Sequence, residues 1–215
     1  MIKFDQWWFP DGETSLPEHM AKVNCLIPGH DGIPRLTYQY HKYAVCLELI
    51  RQTQRSLELA VDVGAHIGLW AYWMCRDFEK VVTFEPSPHN RECLLENLPR
   101  LRNVVIDPVA LGDKTGVRSL VFTRGASGGS HIAPVGWFAD NVERTHVEVH
   151  RLDEYTIPSC SLLKIDVEGF ELDVVRGAAE FLTRTKPIII LETIPANASR
   201  YKYDIMDAVH FVEAL

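Results

Sequence analysis

The sequence lacks the patterns that mark a disulfide-stapled or zinc-binding domain. Its five cysteines are odd in number, widely spaced and never arranged as C-x-x-C, and no H-E-x-x-H motif occurs. Scattered cysteines of this kind are typical of reduced, buried thiols. We therefore expect a cytoplasmic protein without a disulfide framework or a structural zinc site.

Basic residues and long apolar runs are also scarce. Lysine and arginine number 22 against 29 aspartates and glutamates, which gives a formal net charge of −7. Nucleic-acid binders usually rely on a basic excess, so this balance disfavours nucleic acids and anionic membranes as partners. No run approaches the roughly 18 apolar residues that a membrane-spanning helix needs, and the N-terminus lacks the apolar stretch of a signal peptide. We expect neither export nor membrane anchoring.

What the sequence does contain is an alternation of short apolar runs and helical patterns. At 215 residues the chain is long enough for one sizeable α/β core. LELAVDVG, VVTFEP and SLLKIDVEG are typical of strands buried on both faces, and a helical segment follows each of them. PIIILET is the most apolar run, which predicts a position near the middle of a parallel sheet.

These patterns predict an α/β fold with a Rossmann-like parallel sheet in the order 3-2-1-4-5 and helices on both faces. Residues 1–56 are expected to form an N-terminal arm and helix packed on the core, and 57–215 the main domain. Alternating strands around the glycine-rich RGASGGSHIAPVG predict a β-hairpin insertion over about 115–153 with a mobile tip. FELDVVRGAAEFLTR is expected to form one helix.

The strongest chemical signal is the segment VDVGAHIG, from Val61 to Gly68, between the first strand and the first helix. Gly64 would let an extended ligand lie against bare backbone, and the helix beyond it presents unpaired N–H groups. A dinucleotide fingerprint reads G-x-G-x-x-G, whereas Ala65 and His66 stand where its second glycine would be. A nicotinamide cofactor is therefore the weaker fit, and a purely structural turn is the other alternative.

A second element supports a cofactor site. Glu85 ends the second predicted strand, about 20 residues beyond the turn, the spacing at which a carboxylate binds an adenosine ribose. Its hydrogen bonds to the two ribose hydroxyls would contribute about 1.5–3 kcal/mol each. The alternative is a surface glutamate at a strand end, but the turn and the carboxylate together favour the ribose role.

The segments VDVGAHIG, TFEPSP, VALGD, LDEY and LLKIDVEGFELDVVRGA together resemble the FkbM-type methyltransferases, a class I S-adenosylmethionine-dependent family. The resemblance covers about residues 60–192. It implies a seven-stranded methyltransferase fold and transfer of a methyl group to a hydroxyl of a sugar, peptide or polyketide-like molecule. The last antiparallel strand pair of that fold has no counterpart before Leu215, so we expect a sheet short by two strands or a truncated sequence.

The resemblance also implies where the cofactor lies. Asp62, Gly64 and Gly68 would surround its amino-acid part, Glu85 would hold the ribose, and residues 110–113 would flank the adenine. His66 is expected to pack or to contact the cofactor rather than to perform chemistry. The expected cofactor-binding residues are Asp62, Gly64, Ala65, His66, Gly68, Glu85, Ala110 and Asp113.

The reaction site is expected at the carboxyl end of the fourth strand, where open α/β sheets bind ligands. Asp166 is the leading candidate to remove the hydroxyl proton of the acceptor or to orient the acceptor. Lys164 and Glu168 are further catalytic candidates, with local ion pairs or helix capping as the alternative. His131, in the glycine-rich loop, is a second candidate base, since a histidine pKa near ~6.5 suits this task better than an aspartate pKa near ~3.9.

A metal site is the weaker alternative at the same place. Asp166 and Glu192 end neighbouring strands and could bind Mg²⁺, which would lower the pKa of the acceptor, but no third ligand is evident. The predicted function is therefore S-adenosylmethionine-dependent methylation of a hydroxyl on a small molecule or sugar, by a monomer or homodimer without a metal. The alternatives are a cofactor-binding domain without turnover and, less favoured, an NAD-dependent oxidoreductase.

Overall fold

The computed structural model describes residues 1–98, 102–122, 125–137 and 142–215. Its strands are β1 (Ile2–Phe4), β2 (Trp7–Phe9), β3 (Leu26–Pro28), β4 (Pro34–Leu36), β5 (Leu59–Val63), β6 (Lys80–Phe84), β7 (Val104–Asp107), β8 (Ala110–Leu111), β9 (Gly116–Phe122), β10 (His131–Ile132), β11 (Glu143–His150), β12 (Leu162–Ile165) and β13 (Ile188–Leu191). Its helices are α1 (Ser15–Val23), α2 (Tyr40–Gln52), α3 (Leu69–Asp77), α4 (Pro88–Asn97), α5 (Glu171–Arg176), α6 (Ala179–Thr185), α7 (Pro195–Arg200) and α8 (Asp207–Glu213). Among the described residues, no helix has the length and apolarity needed to cross a bilayer.

The central sheet confirms the predicted strand order. Its strands lie in the order β13-β12-β5-β6-β7, and every pair is parallel. With β5, β6, β7, β12 and β13 counted as strands one to five, this is the order 3-2-1-4-5. The chain direction across the sheet reverses between β5 and β12, and ligands of open α/β sheets bind beyond the strand ends at such a reversal.

Strand β13 corrects one expectation. It lies at an outer edge of the described sheet, not near the middle, and all four of its residues are half-buried. Both of its faces are nevertheless covered, because Ile188 and Ile190 pack on one hydrophobic cluster while Ile189 and Leu191 pack on the other. An apolar run indicates two covered faces, which an edge strand can also have.

The segment predicted as a single helix forms two, α5 and α6, separated at Gly177. A Cβ at Gly177 would lie 1.9 Å from the carbonyl oxygen of Gly112, so only glycine allows the two backbones this close. The carbonyl oxygen of Gly177 accepts the N–H of Asp153 at 3.0 Å. At the break between α5 and α6, Gly177 therefore contacts Gly112 before the insertion and Asp153 at its end.

The insertion forms a second sheet in the order β10-β9-β11-β8. The predicted hairpin is confirmed by the antiparallel pairing of β9 with β11. The described part of its tip is packed against other elements: Thr14 and Ser15 donate backbone N–H groups to the oxygen of Gly125, and the Tyr201 hydroxyl donates to the oxygen of Ile132. Residues 123–124 and 138–141 of the predicted insertion lie outside the described residues.

The N-terminal arm packs on the same core as the sheet. Trp7 and Phe9 are buried in a cluster that also contains residues of α2, β5 and α3. The indole N–H of Trp7 donates to the oxygen of Leu36 at 2.8 Å, and the Asn97 side-chain amide pairs with the backbone of Trp8. These contacts hold the arm beside α4, close to the carboxyl ends of the strands. The boundary at residue 56 stays a prediction.

Candidate functional site

A cavity of about 350 Å³ lies at the carboxyl ends of β5, β6, β12 and β13. This volume is within the range of small-ligand sites. The N-terminal arm and the described tip of the insertion complete its walls, together with the first residues of the glycine turn. The cavity therefore occupies the place where the topology predicts a ligand.

Most of the predicted site residues line this cavity. Three described residues are exceptions: Asp62, Gly68 and Asp113. Asp62 is buried behind the wall, and Gly68 packs beside Leu94. The Oδ2 of Asp113 lies 3.7 Å from the Nζ of Lys114. The predicted residues that line the cavity are Gly64, Ala65, His66, Glu85, Ala110, His131, Lys164, Asp166, Glu168 and Glu192.

The glycine turn is held tightly between two strands. Gly64 has a φ of +76°, and a Cβ there would lie 1.9 Å from the carbonyl oxygen of Asp166. Its N–H donates to the oxygen of Phe84 at 2.9 Å. Only glycine combines this conformation with such a close approach, so the turn presents bare backbone to the cavity between β6 and β12.

Glu85 is a buried, hydrogen-bonded carboxyl group and not a surface glutamate at a strand end. It is 5% exposed, and its carboxylate accepts the N–H groups of His66 at 2.7 Å and Ser87 at 2.8 Å. Burial raises the pKa of Glu85 to about 7, against the opposing effect of these donors. Because each carboxylate oxygen can accept more than one hydrogen bond, capacity for a ligand remains. Ser87 in turn caps α4 by accepting the N–H of Asn90.

Lys164 is a buried counter-ion rather than a free cation. Its Nζ donates to the oxygen of Gly64 at 2.6 Å and lies 3.1 Å from Asp62 Oδ1 and 3.8 Å from Asp166 Oδ2. Burial lowers the pKa of Lys164, but the attraction of Asp62 and Asp166 outweighs this effect and the pKa is raised. The charged ammonium thus ties β12 to the turn after β5, and Asp62 supports the site through Lys164.

Three carboxyl groups meet beyond the carboxyl ends of β12 and β13. One oxygen from each of Asp166, Glu168 and Glu192 lies within 4.8 Å of the others, and we call these residues the carboxyl trio. Burial and the neighbouring Asp166 raise the pKa of Glu192 to about 8 and that of Glu168 to about 7. Glu168 is the third oxygen ligand that the sequence analysis did not find, so the trio could hold Mg²⁺ as well as a proton.

His131 lines the cavity but is enclosed by its own loop. Its Nδ1 lies 3.0 Å from the oxygen of Gly129, which assigns the ring proton to Nδ1 and the lone pair to Nε2. Nε2 is buried and has no hydrogen-bond partner among the described residues. Burial lowers the pKa of His131, so the ring is neutral. An acceptor reaches Asp166, whose side chain is 21% exposed, more readily than His131 Nε2.

Sequence patterns did not identify the cavity residues contributed by the arm and by α3. Glu13, Tyr38 and Trp70 all line the cavity, and Glu13 is only 2% exposed. Burial and the charges of the carboxyl trio raise the pKa of Tyr38 to about 12. No local pattern marks these residues, because their place in the site depends on contacts with strand ends far along the chain.

The pKa shifts of the carboxyl trio predict that stability of the ligand-free protein falls between about pH 5 and pH 8. Glu168 and Glu192 hold their protons to about pH 7 and 8 in the folded chain but have an ordinary pKa of 4.5, so the folded state binds more protons in this window. Glutamine cannot ionise, so Glu192→Gln should stabilise the fold more at high pH than at low pH. Its midpoint of thermal unfolding, compared with that of the unchanged chain, should gain about 3 °C or more between pH 4.5 and pH 8.5.

Circular dichroism melts between pH 4.5 and 9 would measure this effect. Exposed Glu96→Gln, which changes the net charge by the same amount, is the matched control and should keep the pH profile of the unchanged chain. Parallel pH profiles for Glu192→Gln and the unchanged chain would show that Glu192 does not hold its proton to higher pH in the folded state.

Comparisons with known proteins bear on this site. A family model described as the methyltransferase FkbM domain matches residues 62–212. A protein named hexuronic acid methyltransferase AglP, from Haloferax volcanii, is 27% identical over 146 residues, covering 67% of this chain and 59% of its own length. A protein named methyltransferase 1, from Beauveria bassiana, is 26% identical over 141 residues, covering 54% and 57%. The chain therefore spans less than two thirds of the length of these relatives.

A solved structure supports the fold. The crystal structure of the methyltransferase FkbM from Methylobacillus flagellatus matches with a TM-score of 0.51 at 20% identity, covering 73% of this chain and 36% of that chain. At this identity the likeness concerns the arrangement of strands and helices alone. It agrees with the parallel five-stranded sheet described above.

Proposed function

The chain belongs to the FkbM family of class I methyltransferases, and on that premise we propose that it methylates a hydroxyl oxygen of a small molecule or sugar. The methyl donor that the family implies is S-adenosylmethionine. The observation that carries the proposal is one cavity in which the glycine turn and Glu85 meet the carboxyl trio. The first part suits a cofactor, and the second suits an acceptor.

The cavity fits the proposed cofactor in shape and in charge. Backbone at Gly64 and Ala65 faces the cavity, Glu85 offers oxygens to a ribose, and Ala110 and Leu111 provide an apolar wall for an adenine. Five carboxyl groups contribute to its lining, while the charge of Lys164 is compensated by Asp62. An acidic lining suits the positive sulfonium of S-adenosylmethionine.

Proton removal is assigned to Asp166. The cofactor supplies an electrophilic methyl group, and the protein holds the acceptor hydroxyl in line with it. Asp166 would accept the hydroxyl proton as the oxygen forms its new bond to carbon. Glu192 keeps its proton to about pH 8 and can hold Asp166 in place by a hydrogen bond. Lys164, 3.8 Å from Asp166 Oδ2, orients the same carboxylate from the side of the turn.

The acceptor class follows from the charge of the carboxyl trio. A carboxylate acceptor placed beside the Asp166 carboxylate would be repelled, whereas a hydroxyl group can donate a hydrogen bond to it. Glu168 and Glu192, which keep their protons to about pH 7 and 8, can form further hydrogen bonds with such an acceptor. The name of the Haloferax volcanii relative gives hexuronic acid as the compound that this relative methylates. For this chain we propose a neutral, hydroxyl-rich acceptor such as a sugar.

Ligand titration followed by methyl transfer tests the proposal. Isothermal titration should show binding of S-adenosylmethionine and no binding of NAD, and labelled methyl groups should then pass to a member of a panel of hydroxylated sugars and metabolites. Binding of NAD in place of S-adenosylmethionine would support the oxidoreductase alternative. Binding of S-adenosylmethionine without transfer to any acceptor would support a binding domain without turnover.

Glu85→Ala is expected to weaken S-adenosylmethionine binding by at least about tenfold, because two ribose hydrogen bonds are lost. The N–H groups of His66 and Ser87 also lose their acceptor, which should cost about 1–3 kcal/mol of stability. Isothermal titration at a temperature where the variant is folded measures the affinity, and thermal unfolding measures the stability.

Asp153→Ala is the matched control for Glu85→Ala. The Asp153 carboxylate is 4% exposed and accepts the N–H of Phe181 at 2.8 Å, but it lies outside the cavity lining. Its loss should lower stability without changing affinity for the cofactor. Unchanged affinity in Glu85→Ala would remove the ribose assignment.

A further inference from the structure

Hydrogen bonds join the N-terminal arm to the tip of the insertion, next to the cavity residues of the glycine turn. The Glu13 carboxylate accepts the backbone N–H of Leu16 at 3.1 Å and that of Ser127, which lies 114 residues away. Backbone N–H groups of Thr14 and Ser15 donate to the oxygen of Gly125 beside it. Because Glu13 is 2% exposed, it is a buried carboxyl group whose hydrogen bonds depend on this junction.

The junction continues to the glycine turn. The Ser127 hydroxyl lies 2.7 Å from Nε2 of His66, and the backbone N–H of His66 donates to Glu85 at 2.7 Å. A chain of contacts therefore runs from Glu13 through Ser127 and His66 to Glu85. All four residues line the same cavity.

In this series of contacts, His66 is the residue whose backbone conformation needs support. Its φ of +55° lies in the left-handed region that residues other than glycine rarely adopt. Its backbone N–H is held by Glu85, and its ring is held by Ser127. Burial lowers the pKa of His66 to about 4, so the ring is neutral and meets the hydroxyl without a charge.

We propose that Glu13 is a positioning residue for cofactor binding, which places Ser127 against His66 and so fixes the glycine turn and Glu85 in their binding geometry. The inference rests on the proposed function, because it concerns the same cofactor site. It assigns to the arm a part in cofactor affinity, although the arm precedes the residues matched by the family model. Glu13 acts through Ser127 and His66, not through the reacting atoms.

The test uses the full chain, S-adenosylmethionine and S-adenosylhomocysteine, which lacks the sulfonium charge. Glu13→Gln keeps the size of the side chain but turns one acceptor oxygen into a donor, and Ser127→Ala removes the hydroxyl next to His66. Each change should weaken the binding of both ligands by about tenfold. The double variant should lose little more than Glu13→Gln alone, because both changes interrupt one chain of contacts.

The other outcomes overturn the inference in different ways. Additive losses, or unchanged affinity in Glu13→Gln, would remove the link to Ser127 and His66. Weaker binding of S-adenosylmethionine alone would indicate a direct effect of the Glu13 charge on the sulfonium. If Glu13→Gln does not fold, unchanged affinity in Ser127→Ala still overturns the proposal.

Asp153→Asn is the control, because it alters a buried carboxylate that accepts a backbone N–H outside the cavity. It should bind both ligands as the unchanged chain does, and an equal loss there would reduce Glu13 to a general structural role. If the unchanged chain bound neither ligand, the proposed function would fail and this inference with it. Binding by the unchanged chain with no effect of the variants would overturn this inference alone.

Discussion

Replacing Lys164 with methionine is expected to destabilise the fold by about 3–5 kcal/mol, the usual loss when one partner of a buried ion pair is removed. Asp62 is fully buried and would lose the ammonium that lies 3.1 Å from its Oδ1. The carbonyl oxygen of Gly64 would lose its donor at 2.6 Å, at the turn proposed to hold the cofactor. The variant should therefore lose both stability and cofactor affinity.

Urea unfolding of the unchanged chain and of the variant measures this loss. The double variant Asp62→Asn with Lys164→Met should recover part of it, because no buried charge then lacks a partner. Arg51→Met is a matched control at an exposed pair, where Arg51 and Glu48 are 64% and 57% exposed, and should change stability by less than about 1 kcal/mol. A loss below ~1 kcal/mol in Lys164→Met, or no recovery in the double variant, would show that the pair is not the support described here.

The parts of the site that could be predicted from the sequence are those that depend on local signals. An apolar run followed by a turn identifies a strand end, and the alternation of strands and helices determines the sheet order. Gly64, Glu85 and Asp166 follow directly on such strands, so their place at one edge of the sheet was predictable. Parallel strands bring their carboxyl ends together whatever the sequence between them.

The parts that could not be predicted depend on contacts between distant segments. Glu13 reaches Ser127 across 114 residues, and no spacing rule connects an irregular arm to a loop tip. Glu168 joins Asp166 and Glu192 because its own backbone turns through a φ of +59°, which residue type does not reveal. The apolarity of β13 suggested a middle position because apolar residues indicate burial and not neighbouring strands, whereas the predicted order 3-2-1-4-5 already placed this fifth strand at an edge.

Geometry distinguishes the two candidate bases, His131 and Asp166, better than residue type does. In the sequence, the ordinary pKa of its side chain favours His131 as the base, and the position at a strand end favours Asp166. In the structure, Nε2 of His131 is buried in its loop, whereas Asp166 is partly exposed in the cavity and is contacted by Lys164. His131→Ala should accordingly retain most of the turnover, and a pH profile that titrates near a histidine pKa would argue the reverse.

Asp166→Asn is expected to lower methyl transfer by roughly 10²–10⁴-fold while leaving cofactor binding nearly intact, because asparagine keeps the shape of the side chain but cannot accept the hydroxyl proton. Initial rates with labelled S-adenosylmethionine and the acceptor found in the panel measure the first quantity, and titration with S-adenosylhomocysteine measures the second.

If the carboxyl trio holds Mg²⁺, chelation would abolish turnover, added Mg²⁺ would restore it, and Glu168→Gln and Glu192→Gln would be nearly as damaging as Asp166→Asn. If Asp166 acts as the base without metal, chelation changes nothing and Glu192→Gln retains more activity than Asp166→Asn. Full activity in Asp166→Asn would contradict both versions and leave Asp166 as a partner of Lys164 in holding β12 to the glycine turn.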